Sequence, residues 1–586
     1  MNHKLISLLL IFTLTPALLL ILDVAPASAG GTVTNCSDDT DFSSQLSGGG
    51  TINFSCGPAT IVLSSTKTIS TNTTIDGGGT ITLSGGGTRL FIVNSDVVLT
   101  LTNITIRDGY WGADGGAIYN AGAVNISNSK FFSNTVATGY SGGAIESFGV
   151  LNISNSEFAY NSAGNGGALF PRESTSFTTI TGSSFHDNST TNTTNGWGGA
   201  MLVWNGAQVS IDATSFMSNT AQQGGMAYVT SVSVLTMTNS SLSSNGATVV
   251  IGGALVNHGT ATINNSTLDH NSAASGGGIW NDATLTLNST SLNDNSALQF
   301  GGGLSNSGTA TLNNSIMSGN TVTQTGGAIY GTGATTLNNS TLSGNSASIG
   351  GGLADNIGTT TLNNSTLTGN SASNAGGGIY SFGTVHLNSS TLSGNSAANG
   401  GGGFYNDHSV AIVTNSTLSG NSTPTLGGGF YNSGSATFYN ATLADNSAAH
   451  GGELYIQGSA PTVLTNTILA YSPSGGNCAG TITSSKFTLS SDNTCGLPLA
   501  NTIKGQDPNG LDPLLSALAS YGGFTQVHMP QANSPAVDGI VGNDALSTDQ
   551  RGQPRPAGLG YDIGSVERQP SDFDLPLHLW LPLIRR

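Results

Sequence analysis

The chain has 586 residues, 84 of them glycine and only 7% charged, and its 13 basic against 30 acidic residues give a net charge of −17. No Lys or Arg occurs between Arg172 and Lys486, so most of the chain can neutralise neither a phosphate backbone nor an anionic membrane surface, which argues against nucleic acid and such membranes as partners. A hydrophobic content of 37% argues against charge-driven disorder.

The first segment, 1–29, reads as a secretory signal. Lys4 supplies the positive end, Leu5 to Leu22 is largely apolar, and Ala27-Ser28-Ala29 is an A-x-A cleavage site. The expected location is therefore secreted, extracellular or cell-surface, with no membrane span in the mature chain. Residues 30–94 hold short β-type runs such as Thr51-Ile52-Asn53-Phe54 and Thr60-Ile61-Val62-Leu63, read as an N-terminal cap with the first irregular rungs.

Residues 95–470 are a repeat array. An Asn closes an L/F-x-x-N phrase at Asn271, Asn295, Asn320, Asn345, Asn370, Asn395, Asn421 and Asn446, a period of about 25 residues. Asn134, Asn161, Asn188, Asn219 and Asn245 fill the same slot at wider spacing, and Asp108 is assigned to it as well. Each unit reads as three short period-two runs separated by Gly, Asn and Ser, none long enough for a helix. That pattern predicts an all-β right-handed parallel β-helix, a solenoid of about 14 rungs, with the repeating Asn at a corner that sets rung register.

Residues 471–568 lose the period and regain prolines and charges, and read as a C-terminal non-repeat domain. Residues 569–586 are an apolar tail with three prolines, too short to span a bilayer. Four cysteines allow three pairings. The near pairs, Cys36 with Cys56 and Cys478 with Cys495, are the economical choice, each stapling one end of the solenoid for about 3 kcal/mol. No C-x-x-C phrase or histidine spacing points to a metal, and nothing calls for a cofactor.

Two stretches carry resemblances. The Gly-Gly-Ala-Ile phrases at 115–118 and 142–145, with Phe131-x-x-Asn134, Phe158-x-x-Asn161, Phe185-x-x-Asn188 and Phe216-x-x-Asn219, resemble the repeat of bacterial polymorphic outer-membrane proteins, which implies an adhesin-like β-helix. The autotransporter barrel of that family is absent. The ordered series Asn466-Thr467-Ile468-Leu469-Ala470, Asp512-Pro513-Leu514-Leu515, Ser534-Pro535-Ala536-Val537-Asp538, Thr548-Asp549-Gln550-Arg551-Gly552, Arg555-Pro556 and Asp562-Ile563-Gly564-Ser565-Val566-Glu567, over roughly 466–567, resembles the choice-of-anchor Q domain of bacterial surface proteins. It implies a secreted or surface-displayed β-helix protein, and that family has no established enzymatic activity.

Chemistry in the array is sparse. A polysaccharide lyase or glycoside hydrolase needs clustered acids, and the array's acids are scattered, so no catalytic residue is assigned. The segment around 146–187, with Glu157, Arg172, Glu173 and His186, is the one place to look for a site, and surface salt bridging is the favoured reading there. In the Asp269-His270 and Asp407-His408 pairs, strand alternation would turn the two side chains to opposite faces.

Two ladders remain. The residue after the Gly-Gly-x-apolar phrase is often aromatic, as at Tyr330, Tyr380, Tyr405, Tyr431 and Tyr455, and alternation points it outward. Such a stripe suits sugar binding, although cross-rung stacking alone also explains it. A Thr-x-Thr phrase recurs at Thr260/Thr262, Thr309/Thr311 and Thr359/Thr361, and an outward double-Thr array resembles the surface of β-helical ice-binding proteins. The sequence thus points to a structural or adhesive surface protein with carbohydrate or extracellular matrix components as partners. An extracellular polysaccharide lyase or hydrolase, and an ice-binding protein, are the alternatives.

Overall fold

The computed structural model describes residues 30–572 apart from 501, 541, 543 and 544. The expected signal segment and the tail from 573 onward lie outside the described residues. The chain winds into a parallel β-solenoid of about 18 turns with a single short helix among the described residues. The count exceeds the expected 14 because the flanks already coil. Gly50–Phe54 and Thr73–Asp76 pair in register below the array, and above it Ser484–Lys486 pairs with Thr462–Thr465 and Leu489–Ser490 with Ile468–Ala470. Rung stacking needs only short β runs, not a perfect repeat. At about 4.8 Å per turn the rod is about 85 Å long.

One turn shows the plan. Leu304–Asn306 belongs to sheet 1, Thr309–Asn313 to sheet 2, Ile316–Ser318 to sheet 3 and Thr321–Val322 to sheet 4. Every strand pairs in parallel with its counterpart one turn away, so sheet 2 reaches 19 strands while sheet 4 stops at 12. Alternation turns Leu312 and Met317 inward, and both are fully buried. In the lower turns the inward slot of sheet 3 is Phe131, Phe158, Phe185 and Phe216, stacked at 4.6, 4.7 and 5.1 Å. The Gly-Gly phrase is steric. A Cβ on Gly327 would stand 2.0 Å from the carbonyl oxygen of Gly351 in the next turn, so the rungs close up only without a side chain there.

The repeating Asn lies inside the rod. The residue before it takes the left-handed corner, as at His270, Asp294 and Gly319, and the Asn side chain folds into the interior with no exposure. Asn320 shows the bonding. Its backbone N–H and its Nδ2 both donate to Asn345 Oδ1 at 2.9 Å, and Nδ2 also donates to Leu292 O in the turn below. The pattern runs from Asn134 to Asn446 and satisfies every amide, which an interior this dry requires. Asp108 is not in this column. Its register partner is Ser133, and the true counterpart, Gly109, donates its N–H to Asn134 Oδ1 at 2.9 Å. At the upper end Glu453 replaces the third glycine of the phrase. Its carboxyl turns inward, fully buried, to accept both the N–H and the Nδ2 of Asn446.

Both ends are closed. Helix Thr40–Leu46 buries Phe42 under the first turn, where it meets Phe54. Cys36 is bonded to Cys56 and Cys478 to Cys495, the near pairs expected from sequence. Above the last turn the chain doubles back over the outside of sheet 3. The motif residues of this segment converge there. Arg551 pairs with Asp549 at 2.9 Å, Arg555 with Glu567 at 3.1 Å, and Gln550 reaches Thr417 on the rod at 2.7 Å.

Replacing Asn345 by alanine leaves the Asn320 N–H, the Met317 carbonyl and the Asn370 Oδ1 short of a partner. The expected cost is about 3 kcal/mol in chemical denaturation, against less than about 0.5 kcal/mol for Thr341→Ala on the half-exposed outer side of sheet 3.

Candidate functional site

Sheet 2 carries the most regular outer surface. Its third position is Thr in six consecutive turns, Thr236, Thr262, Thr286, Thr311, Thr336 and Thr361, all in register. Its first position holds Thr260, Thr284, Thr309, Ala334, Thr359 and Thr384. Thr260, Thr309 and Thr359 are exposed, while Thr262, Thr311 and Thr361 are half-buried. The fifth position is an outer asparagine ladder. Asn288, Asn313, Asn338, Asn363 and Asn388 each donate Nδ2 to the Oδ1 of the Asn below, at 2.8 to 3.0 Å. Locked amides beside two hydroxyl columns make a flat polar lattice, with spacings of about 4.8 Å along the axis and about 6.7 Å across it.

Sheet 1 presents the aromatic column. Tyr380, Tyr405, Tyr431 and Tyr455 stack at 5.3, 4.1 and 5.2 Å with ring planes 11° to 20° apart. The ring faces are turned to one another. Tyr380 donates its hydroxyl to Asp407 and Tyr431 donates to Gln457. Tyr330 stands apart, separated from Tyr380 by Ala354 and stacked instead on Phe300 at 4.5 Å. Burial and the Asp407 hydrogen bond hold the Tyr380 hydroxyl well above the usual phenol range.

Lower on sheet 1 the aromatic slot contains an acid. Glu146 lies in register between Tyr119 and Phe170, and it is 3% exposed. Arg172 Nη1 sits 3.3 Å from Glu146 and 3.6 Å from Asp114, and its guanidinium lies over the rings of Phe148 and Phe170. Arg89, itself buried, stacks between Trp111 and Tyr119 and donates to the carbonyl oxygen of Gly115. Burial, reinforced by Asp114, outweighs the two arginines and pushes the Glu146 carboxyl up to about 7. Sequence reasoning reached this stretch through Arg172 and Glu173 but missed that Glu146 and Asp114 meet on Arg172. The available signal was an acid in a slot that is aromatic in the turns on either side.

The remaining flagged residues form a separate network. Glu157 binds Lys130 at 3.0 Å and His186 at 3.0 Å, and His186 also meets Asp187 at 2.8 Å. Burial disfavours charge on His186, but its two carboxylate partners outweigh burial and raise its pKa. The adjacent Asp–His pairs do touch, contrary to the alternation argument. Nδ1 of His270 lies 3.0 Å from Asp269 and that of His408 2.6 Å from Asp407. Both histidines occupy left-handed corners, where strand alternation does not apply.

A third acid is interior. Asp355 falls in an inner column at the corner from sheet 1 to sheet 2, where Asn257, Asn281 and Asn306 pass hydrogen bonds from turn to turn. Gly331 breaks that column just below Asp355. Asp355 is fully buried and its carboxyl has no side-chain partner among the described residues, only the Gly358 N–H beside it, and Thr360 Oγ1 is also unpartnered. Burial pushes its carboxyl up to about 7, with the Gly358 N–H opposing in part.

A carboxyl whose folded pKa is about 7 and whose unfolded pKa is about 3.9 takes up a proton on folding between those values. Its contribution to stability is present at low pH and falls as pH rises through that window, by about 2–4 kcal/mol. Asp355→Asn, which restores the amide of this column, is expected to be more stable than the parent at pH 8 and to flatten the decline from pH 5 to pH 7 in urea titrations. A variant that kept the parental slope would refute this assignment.

The sequence matches no protein-family model and no curated protein, so the two motif resemblances rest on their residues alone and the functional reading rests on these surfaces.

Proposed function

We propose that this chain is an extracellular adhesive rod that lies along a periodic carbohydrate surface through the outer face of sheet 2. The observation that carries the reading is the six-turn Thr column beside its hydrogen-bonded Asn ladder. Flatness and repetition let many weak hydroxyl and amide contacts form at once, and amides already locked by one another lose little side-chain entropy on contact. Locking across 4.8 Å steps also matches a ligand that is itself repetitive.

Three features support an extracellular setting. There are two disulfides, no helix among the described residues is long and apolar enough to cross a membrane, and the leading segment reads as a secretory signal. The choice-of-anchor Q resemblance adds surface association. In this reading the tyrosine column stiffens sheet 1, since its ring faces serve one another. The Asp114–Glu146–Arg172 cluster serves as a charge clasp between turns, because its acids are engaged by arginine and the deeper one is sealed from solvent.

A panel of insoluble polysaccharides, cellulose and chitin among them, tests the proposal by sedimentation. The protein is expected to be retained, and Thr286→Tyr/Thr311→Tyr/Thr336→Tyr, which roughens the face with residues that suit strands, is expected to cut retention at least fivefold with an unchanged melting temperature. Release of reducing ends that is lost in Glu146→Gln would sink the non-catalytic reading. Ice-crystal shaping abolished by the same triple variant, without polysaccharide retention, would transfer the face to ice.

A further inference from the structure

The outer asparagine ladder of sheet 2 has hydrogen-bonding capacity to spare. Asn264, Asn288, Asn313, Asn338, Asn363 and Asn388 fill the fifth position in consecutive turns. A side-chain amide offers two hydrogens and two lone pairs. In Asn288, Asn313, Asn338 and Asn363 the ladder takes one Nδ2 hydrogen and one Oδ1 lone pair and leaves one of each. All four residues are half-buried, neither sealed nor fully solvated. Apart from His386, the outer positions from Thr260 to Asn388 hold only Thr, Asn and Ala, with no acid, lysine or arginine among them.

The step of this ladder has a chemical cause that extends beyond proteins. Amides joined by N–H···O=C bonds stack at about 4.8 Å, whether they belong to a backbone or to side chains. A polysaccharide of N-acetylated amino sugars obeys the same rule wherever its acetamido groups bond chain to chain. Its crystal surface then repeats amides at the step of the rod, with the sugar chains running across the rod axis. Glucan chains joined by hydroxyls carry no amide and are under no such constraint. Register decides between the two. Five steps from Asn264 to Asn388 span about 24 Å. A mismatch of about 0.5 Å per step would accumulate to about 2.5 Å, enough to break the hydrogen bonds at the far end.

We propose that this face takes as its ligand a crystalline polysaccharide of N-acetylated amino sugars, the rod lying across the chains with its Asn ladder matched amide for amide to their stacked acetamido groups. The assignment rests on the adhesive reading of sheet 2 and narrows it to one substrate class. Charge agrees, since an uncharged face suits an acetylated, uncharged polymer. A second copy of the chain would share the step, but the face offers no aromatic or large apolar anchor of the sort that holds two proteins together. Each sugar chain is touched only over the width of one strand, about 13 Å. Single contacts are therefore weak, and the number of chains bridged sets the affinity.

Retention on crystalline chitin and on microcrystalline cellulose of matched surface area tests the assignment, in about 0.5 M sodium chloride so that the net charge is screened. Retention on chitin is expected to exceed that on cellulose at least tenfold, and soluble chitohexaose, a single chain, is expected not to displace the protein. Asn313→Thr/Asn338→Thr/Asn363→Thr removes the amides and keeps residues that suit strands. It is expected to cut chitin retention at least fivefold with an unchanged melting temperature. Should the triple variant melt early, Asn338→Thr alone carries the test, with a loss of about twofold expected. Equal retention on the two powders would overturn the N-acetyl assignment and leave the adhesive reading standing. Retention on neither would remove both. Displacement by chitohexaose would point to a cleft for one chain, and a ladder variant that binds as the parent does would clear the amides; either result overturns the match. A dimer of the parent that the ladder variant abolishes would give the face to a second copy and overturn it as well.

Discussion

Stacking at 4.8 Å is the constraint from which the rest follows. A turn of about 25 residues has no core of its own, and everything it buries must meet its copy one step above and below. Apolar side chains do this by lying in columns. The polar interior column is harder, because every amide placed there must find its donors and acceptors in a direction fixed by the coil. The inner asparagines solve this with one residue type. Oδ1 takes two donors from below, and Nδ2 gives one hydrogen upward and one to a strand carbonyl. The same geometry demands bare glycine where rungs approach within contact of a backbone oxygen.

The outer faces diverge because the interior leaves them free. Sheet 2 repeats Thr and Asn, sheet 1 repeats aromatic rings, and sheet 3 repeats small hydroxyl residues that the C-terminal segment covers in the upper turns. Lysine and arginine are confined to the lower turns and the C-terminal segment. Arg89 and Arg172 are stacked on rings, and Arg551 and Arg555 are buried against carboxylates. An unpaired acid inside the rod, such as Asp355, is therefore conspicuous, and it makes folding proton-linked.

Much of this was legible in the chain. The Asn period gives the solenoid, and alternation gives the outward Thr and Tyr. Other features were hidden for identifiable reasons. The left-handed corner moves through His270, Asp294 and Gly319, residue types with nothing in common, so the neighbouring Asn was the visible marker although the bend lies one residue earlier. Asp108 was misplaced for the same reason. The turn beyond residue 470 was missed, and the lowest turns were read only as irregular rungs, because hydrogen-bond register tolerates unequal loops that spoil a sequence period. Glu146 was read as a scattered acid although it follows the same Gly-Gly-Ala-Ile phrase as Tyr119; register then shows it packed between Tyr119 and Phe170. The return of the C-terminal segment over sheet 3 joins residues more than 100 positions apart, as Ser419 and His528 show, and no local pattern encodes it.

The inner asparagine column has a direction, and its two termini are not interchangeable. At the bottom an acceptor is left over and a backbone N–H of Gly109 meets it; at the top two donors are left over and Glu453 receives them. A carboxyl group is thus the stop signal of a polar chain that every other turn merely transmits. New repeats can be spliced anywhere between Asn134 and Asn446 without breaking that chain. The rod coils on past Glu453, but the column cannot pass it unless the stop itself moves. Such a column is open to growth by internal duplication and closed to growth at its upper end.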